Sequence, residues 1–301
     1  MARDTDSQRE SDDLGFSTDD FDLLPALRIA VAGRSGHGKG FFACSGPEPI
    51  HYISLDPNAK GTVDKWRKRG KDIRYKEFEF PEFDPKRKTG SFNTVERDTE
   101  AQSAAMATFL EAKDLIRQLV RKKDAGTIVI DTAGSLRQLQ ILGYFGKLVQ
   151  IPQNMWTIPN AEWEALMRQF ERAQAKGVTT VLIHKLREER IDEVMEVVEN
   201  GKEVMKEVSR KTGKWERDGY KRMEYLVDCE VHVTMDPSIE IDEKDEDALS
   251  DRFGVEVIKC HERPVLTGKK WQGRSKSGIV YASIPWIGSR VFPETKTKDW
   301  K

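Results

Sequence analysis

Short apolar runs alternate with longer stretches in which apolar side chains recur every three or four positions through most of the chain up to residue 235. Arg28 to Ala32, Ile50 to Asp56, Ile73 to Phe80, Thr127 to Asp131 and Val178 to His184 are the short runs, rich in β-branched and aromatic residues. They suit strands covered on both faces. Between them, Met106, Phe109, Leu110, Ile116, Leu119 and Val120 recur at helical spacing, which predicts a crossover helix over Thr99 to Lys123. A second amphipathic helix is predicted over Asn160 to Lys176, capped by Asn160, with Glu162 and Glu164 in its first turn and Gly177 as its stop. Any helix after the first strand must be short, because Gly46-Pro47-Glu48-Pro49 ends it. The alternation predicts an α/β fold with a mostly parallel sheet flanked by helices.

Other segments break this rhythm. Residues 1 to 20 hold seven acids, two arginines and few apolar side chains, so a disordered acidic tail is expected. Residues 84 to 97 read as a loop. The stretch from Leu136 to Ile158 mixes Gln138, Gln140, Tyr144, Phe145, Gln150, Gln153 and Trp156 with glycine and proline. It reads either as loops facing DNA or a neighbouring subunit, or as packing around an inserted helix. From Glu188 to Lys221 the chain is dense in charge. The apolar positions there suit two helical arms about Asn200-Gly201, and the same Asn-Gly suits a hairpin turn. Strand character returns from Tyr225 to Met235, and an acidic loop follows to Asp251. Between Lys259 and Arg290 there are seven Lys or Arg residues and a single Glu, interleaved with Trp271, Tyr281 and Trp286. That reads as a basic β-rich extension suited to single-stranded nucleic acid, or as a solvated hairpin. Residues 293 to 301 read as a flexible polar tail.

Composition narrows the picture little. The chain of 301 residues carries 50 basic and 51 acidic side chains, so net charge says nothing about partners. Cys44, Cys229 and Cys260 lie far apart in sequence without a C-x-x-C pair, which argues against a disulfide framework or a zinc site. No apolar run approaches the ~20 residues that span a bilayer, and no membrane contact is expected. The expected compartment is the cytoplasm, that of the host cell if the chain is phage-encoded.

The chemistry concentrates where the first strand ends. Gly33, Gly38 and Lys39 fill the pattern G-x-x-x-x-G-K, a phosphate-binding loop, with Arg34, Ser35, Gly36 and His37 between them and Gly40 and Phe41 opening the next helix. Glycines at 33, 36 and 38 let backbone N–H groups close around an anion, Lys39 adds a point charge, and the helix start adds its positive end. The residue after the lysine is ordinarily Ser or Thr, whose hydroxyl ligates Mg²⁺; here it is Gly40. Asp131 ends an apolar strand and fits a Walker B carboxylate holding Mg²⁺ through water, with Thr132 or Ser135 near the ion's shell or the γ-phosphate. Asp56 reads as the base that orients the attacking water, or as a cap on the turn Asp56-Pro57-Asn58. His184, at a strand end, reads as a γ-phosphate contact or as a histidine bonded to a neighbouring loop. Lys185, Arg187 and Arg190 follow it, and one of them is a candidate to reach a neighbour's nucleotide. No guanine-reading N-K-x-D motif occurs, so adenine is the expected base and ATP with Mg²⁺ the expected ligand.

With these residues in view, the sequence resembles the phage RecA-like P-loop ATPases of single-strand annealing and recombination. The likeness rests on Gly33 to Lys39 with Phe42-Ala43, Pro49-Ile50-His51-Tyr52-Ile53-Ser54-Leu55-Asp56, and Ile128-Val129-Ile130-Asp131. It continues through Val181 to Leu186 ahead of Glu188-Glu189, and through Thr212-Gly213-Lys214 to Gly219-Tyr220-Lys221 before Val227-Asp228. It implies a RecA-like ATPase core over residues 21 to 235 with an insertion at about 188 to 221, and an acidic loop and basic extension over 236 to 292. It also implies that Lys39 binds phosphate, Asp131 holds Mg²⁺, Asp56 stands near the catalytic carboxylate's position and His184 at the γ-phosphate. The implied function is ATP hydrolysis in phage recombination or replication, with single-stranded DNA bound by an oligomer or filament and other phage replication or recombination proteins as partners. The alternative is a weakly hydrolysing nucleotide-binding assembly or helicase-loading protein. Gly40 and the shortness of Asp56 against the usual Glu depart from that pattern.

Overall fold

A computed structural model describes residues 26–84, 88–89, 94–122, 125–199, 202–241 and 248–300. The expected acidic tail lies outside the described residues, as does part of the acidic loop before Asp251.

Six parallel strands form the centre of a nine-stranded sheet: β1 (Arg28–Gly33), β2 (Ile50–Ser54), β3 (Ile73–Glu77), β6 (Thr127–Asp131), β7 (Thr179–Glu199) and β9 (Cys229–Met235). Their spatial order is β9-β1-β7-β6-β2-β3, so β7 stands between β1 and β6. The five predicted runs are all present, and β9 adds a sixth from the stretch expected to return to strand. Outside β9 the sheet continues antiparallel through β10 (Phe253–Cys260) and β11 (Lys270–Gln272). Two short strands, β4 (Lys88–Thr89) and β5 (Thr94–Val95), pair with each other within the segment expected to be loop.

Helices cover both faces. On one, α3 (Thr99–Lys122), α4 (Ala133–Phe145) and α5 (Thr157–Gln174) pack Phe109, Ile116, Leu136, Trp163 and Phe170 against Ile53, Ile130 and Leu182 of the strands. On the other, α1 (Lys39–Ala43), α2 (Ala59–Lys68) and α6 (Ile284–Val291) pack Phe42, Val63 and Ile287 against Val31, Tyr52, Val129 and Ile183. Alternate residues of each strand serve opposite faces, as the pleat requires. The architecture is a mixed α/β layer structure with a mostly parallel sheet flanked by helices, as expected.

Two open readings now resolve, and other expectations are corrected. Of the two readings of residues 136 to 158, packing around an inserted helix holds up to Phe145: α4 continues to that residue and buries Arg137 and Gln140. These polar groups are satisfied by α5, with Arg137 bonded to Gln140, Asn160 and, at 2.8 Å, the Pro159 carbonyl. Glu162 completes the network, accepting from Lys113, from Gln140 at 2.9 Å and from Tyr144 at 3.0 Å. Buried polar pairing, not solvent, explains the unusual composition. α5 starts at Thr157, so Asn160 is no cap and bonds Arg137 instead.

The charged stretch is a hairpin, β7 with β8 (Lys202–Arg217), paired antiparallel from Leu186↔Arg217 to Glu199↔Lys202, with the turn residues 200 and 201 outside the described set. Its β-branched Val residues favour strands over helical arms. The basic extension ends in a helix, α6, where Ser283 accepts from the Trp286 amide as its cap. Trp286 is buried there, and the half-buried rings of Tyr281 and Trp271 pack against it. The expected polar tail carries a 3-10 turn, Thr297–Trp300, that buries Trp300 completely. All three cysteines are buried and free, as expected, although β9–β10 pairing sets Cys229 opposite Cys260.

Candidate functional site

β1 delivers the glycine loop at its carboxyl end. Gly36 and Gly38 take φ of 77° and 86°, and a Cβ on Gly38 would lie 2.8 Å from the Phe253 ring. Only glycine fits there. α1 spans five residues, too short to add much dipole, so attraction for an anion here would rest on the loop's backbone and Lys39. Lys39 Nζ donates to the Gly33 and Arg34 carbonyls at 2.9 and 2.8 Å, which folds the ammonium back onto the loop. Burial lowers its pKa, while the charges of Asp131 and Asp56 work the other way.

Asp131 ends β6 beside β2. It is buried, and desolvation pushes its pKa up to about 6, opposed by a hydrogen bond from the Tyr52 hydroxyl. That hydroxyl donates to Asp131 Oδ2 at 2.6 Å, and desolvation followed by the Asp131 charge raises the phenol's own pKa well above its ordinary value. Asp56 closes the turn Asp56-Pro57-Asn58, as one of its two readings has it. Its Oδ1 accepts from the Asn58 amide at 3.0 Å and the Asn58 side chain at 2.9 Å, closing a turn, and the residue still borders the site.

Two cavities share Ser35, Lys39, Asp56 and Asn58. The larger, about 690 Å³, runs from the loop past Gly40, Tyr52 and Asp131 to a wall of Phe41, Trp66 and Phe253. The Phe41 ring lies 4.9 Å from that of Trp66 and 5.3 Å from that of Phe253. The smaller, about 540 Å³, is bordered by Gly33, Arg34, Thr132, Ser135 and Lys185. Of the loop residues Gly33 to Phe41, all but His37 line one cavity or the other. Arg34 also stacks on Trp215 of β8, 3.9 Å from the ring centre, and so ties the loop to the hairpin.

Thr132 and Ser135 border the smaller cavity. Thr132 Oγ1 caps α4, accepting from the Ser135 amide at 3.0 Å and pairing with the Ser135 hydroxyl at 2.8 Å. His184, expected as a γ-phosphate contact or as a histidine bonded to a neighbouring loop, makes the second kind of contact. It is fully buried, lines neither cavity, and places Nδ1 3.1 Å from the Asp218 carbonyl. Burial lowers its pKa to about 3, so the ring is neutral. Strand parity sets this placement: Asp131 pairs with Ile183, so Lys185, two residues on, shares the site face and His184 points to the other.

Tyr52, Trp66 and Phe253 were not singled out in the sequence. Tyr52 carried a faint signal, being four residues before Asp56 and hence on its side of the strand. Phe253 carried none, since nothing local joins it to a loop some two hundred residues away. Among the described residues no group of three or more His, Cys, Asp or Glu could hold a metal ion. A divalent cation here would bring most of its ligands with it, as Mg²⁺ does on phosphate oxygens. One buried carboxylate backed by a hydroxyl and facing the anion loop fits that requirement. No helix among the described residues is long and apolar enough to cross a membrane.

Comparison with known proteins adds little to this geometry. No protein-family model and no curated protein matches the chain. Among solved structures, a prototypical ATPase from the type III secretion system of pathogenic bacteria is similar, at 9% identity and a TM-score of 0.33, over 69% of this chain and 51% of its own. The chain therefore spans about half the length of that ATPase, and a likeness this distant leaves the reading of the site to its own residues.

Proposed function

We propose that the chain binds ATP with Mg²⁺ at the Gly33–Phe41 loop and hydrolyses it. The observation that carries this reading is the convergence of Lys39, Asp56 and Asp131 on one cavity at the carboxyl ends of β1, β2 and β6, where ligands bind in open parallel sheets. Lys39 would hold the β- and γ-phosphates, and the aromatic wall of Phe41, Trp66 and Phe253 offers faces on which a base stacks. Mg²⁺, when bound, supplies charge neutralisation at the phosphates; Asp131 would hold it and Asp56 would orient the attacking water. Lys185, at the second cavity, adds a cation on the side away from Tyr52.

The sequence resemblance extends the proposal to a phage recombination or replication ATPase that binds single-stranded DNA as an oligomer. Gly40 favours a second reading, a nucleotide-gated assembly or helicase-loading protein that hardly hydrolyses. Steady-state hydrolysis with Mg²⁺, with and without single-stranded DNA and beside Lys39→Ala, separates them. Turnover that rises with DNA and vanishes in the variant supports the first reading. Binding of ATP that depends on Lys39 without turnover supports the second, and binding indifferent to Lys39 overturns both.

A further inference from the structure

We infer that Tyr52 supplies, from the neighbouring strand, the hydroxyl that Gly40 lacks at the Mg²⁺ side of the nucleotide site. The inference rests on the Mg²⁺–nucleotide reading above and names a residue that sequence position alone would not assign.

Gly40 is not demanded by the backbone. Its φ is not among the positive values of the chain, and a Cβ built there meets nothing closer than 3.4 Å. The two atoms at that distance are the Thr62 methyl carbon and the Tyr52 hydroxyl oxygen. A serine hydroxyl would thus project into the neighbourhood that the Tyr52 hydroxyl already holds. In P-loop sites the hydroxyl after the lysine stands between loop and Walker B carboxylate. Here the 2.6 Å bond from Tyr52 to Asp131 Oδ2 makes the same junction.

The supply route follows from register. On paired β2 and β6, Ser54 is opposite Asp131 and Tyr52 opposite Val129, so Tyr52 lies on the Asp131 face one pleat earlier. A phenol is long enough to cover that step; a serine at 52 would not be. The ring is buried to 1% exposure and packs 6.0 Å from the Tyr75 ring, so the hydroxyl is held in place. Its proton goes to Asp131, which leaves oxygen lone pairs free to face the cation or a water on it. Thr132 and Ser135 are engaged in capping α4 on the other cavity, and Thr62 turns its methyl to Gly40.

The test measures ATP affinity by calorimetry in Mg²⁺ and in EDTA for wild type, Tyr52→Phe, Gly40→Ser, the double variant and Lys39→Ala, with Mn²⁺ and its electron paramagnetic resonance as a second readout. Thermal midpoints verify folding. Tyr52→Phe is expected to lose about 10- to 100-fold of the Mg²⁺-dependent gain in affinity while keeping the EDTA value. Gly40→Ser is expected to restore the gain in the Tyr52→Phe background. Bound Mn²⁺ should show a changed line shape in Tyr52→Phe that the double variant reverses. A Tyr52→Phe protein with the full Mg²⁺ gain overturns the inference and leaves the nucleotide reading standing. So does loss of the gain without rescue by Gly40→Ser, which would make Tyr52 a packing residue. If ATP affinity is unchanged in Lys39→Ala, the nucleotide reading falls and the inference with it.

Discussion

Trp300, one residue from the end of the chain, offers a sharp test of the packing. Its ring is fully buried, stacked 5.8 Å from Phe292 at an interplanar angle of 16°, and its Nε1 donates to Thr295 Oγ1 at 2.8 Å. The underside of the ring rests on α6 at Gly288, where a Cβ would fall 2.5 Å from ring carbon. Truncation of a buried Trp costs about 3–5 kcal/mol through lost transfer energy and the cavity left behind. Trp300→Ala is therefore expected to lower unfolding stability by about that amount and the thermal midpoint by roughly 5–8 °C at this chain length. Urea denaturation followed by circular dichroism measures it. Trp300→Phe keeps the apolar ring and loses the hydrogen bond, so about 1–2 kcal/mol is expected. Gly288→Ala should be destabilising alone and close to silent once Trp300 is Ala, because the clash partner has gone; the double-mutant cycle reads this coupling. If Trp300→Ala stays within about 1 kcal/mol of wild type, the terminal turn does not hold the ring and the docking argument fails.

Two further outcomes follow from buried charges. Asp228 accepts from the Arg28 amide at 2.8 Å, from the Arg28 guanidinium at 2.6 and 3.1 Å and from Gln174 at 2.6 Å, and so joins β1, α5 and the entry to β9. Asp228→Ala strands the half-buried guanidinium and should cost about 3 kcal/mol in a urea titration, with Glu171, 3.3 Å from Arg28, limiting the loss. His184 has a folded pKa near 3 against an ordinary 6.5, so the unfolded chain binds the extra proton in that window. Its contribution is whole above 6.5 and is lost as pH falls, by about 2–3 kcal/mol at pH 4.5. Asp131, held up to about 6, acts with opposite sign over part of the range. The difference between wild type and His184→Gln isolates the histidine, and identical stability–pH curves over pH 4.5–6.5 would refute its neutral burial.

The strands were legible because burial on both faces leaves unbroken apolar runs, and the long α3 because its periodicity spans many turns. The glycine loop after β1 was legible because its glycines and Lys39 are contiguous. What failed to show was polar composition with a tertiary cause. Arg137, Gln140 and Glu162 look like solvent or DNA contacts in a linear reading, yet each is satisfied by a residue of another helix. Trp300 likewise reads as an aromatic in a polar tail, since Phe292 and α6 cover it only once the chain turns back on itself.

Register explains why the candidate site was half seen. Asp56 and Asp131 end strands on the site face, and a strand-end polar residue is a sound guess for either. The same guess applied to β7 picks His184, but β7 pairs Ile183 with Asp131 and Ala32 with His184. A shift of one residue turns a side chain to the other face of the sheet, so His184 is buried under the hairpin base and Lys185 takes the cavity. The same parity brings Tyr52, beside Val129, onto the face of Asp131. A linear reading sees Gly40 as a missing ligand; the paired strands show a hydroxyl already standing next to it. Sequence spacing along one strand carries the parity of that strand alone, and the offset between strands is set by packing on both sheet faces, which no local pattern records.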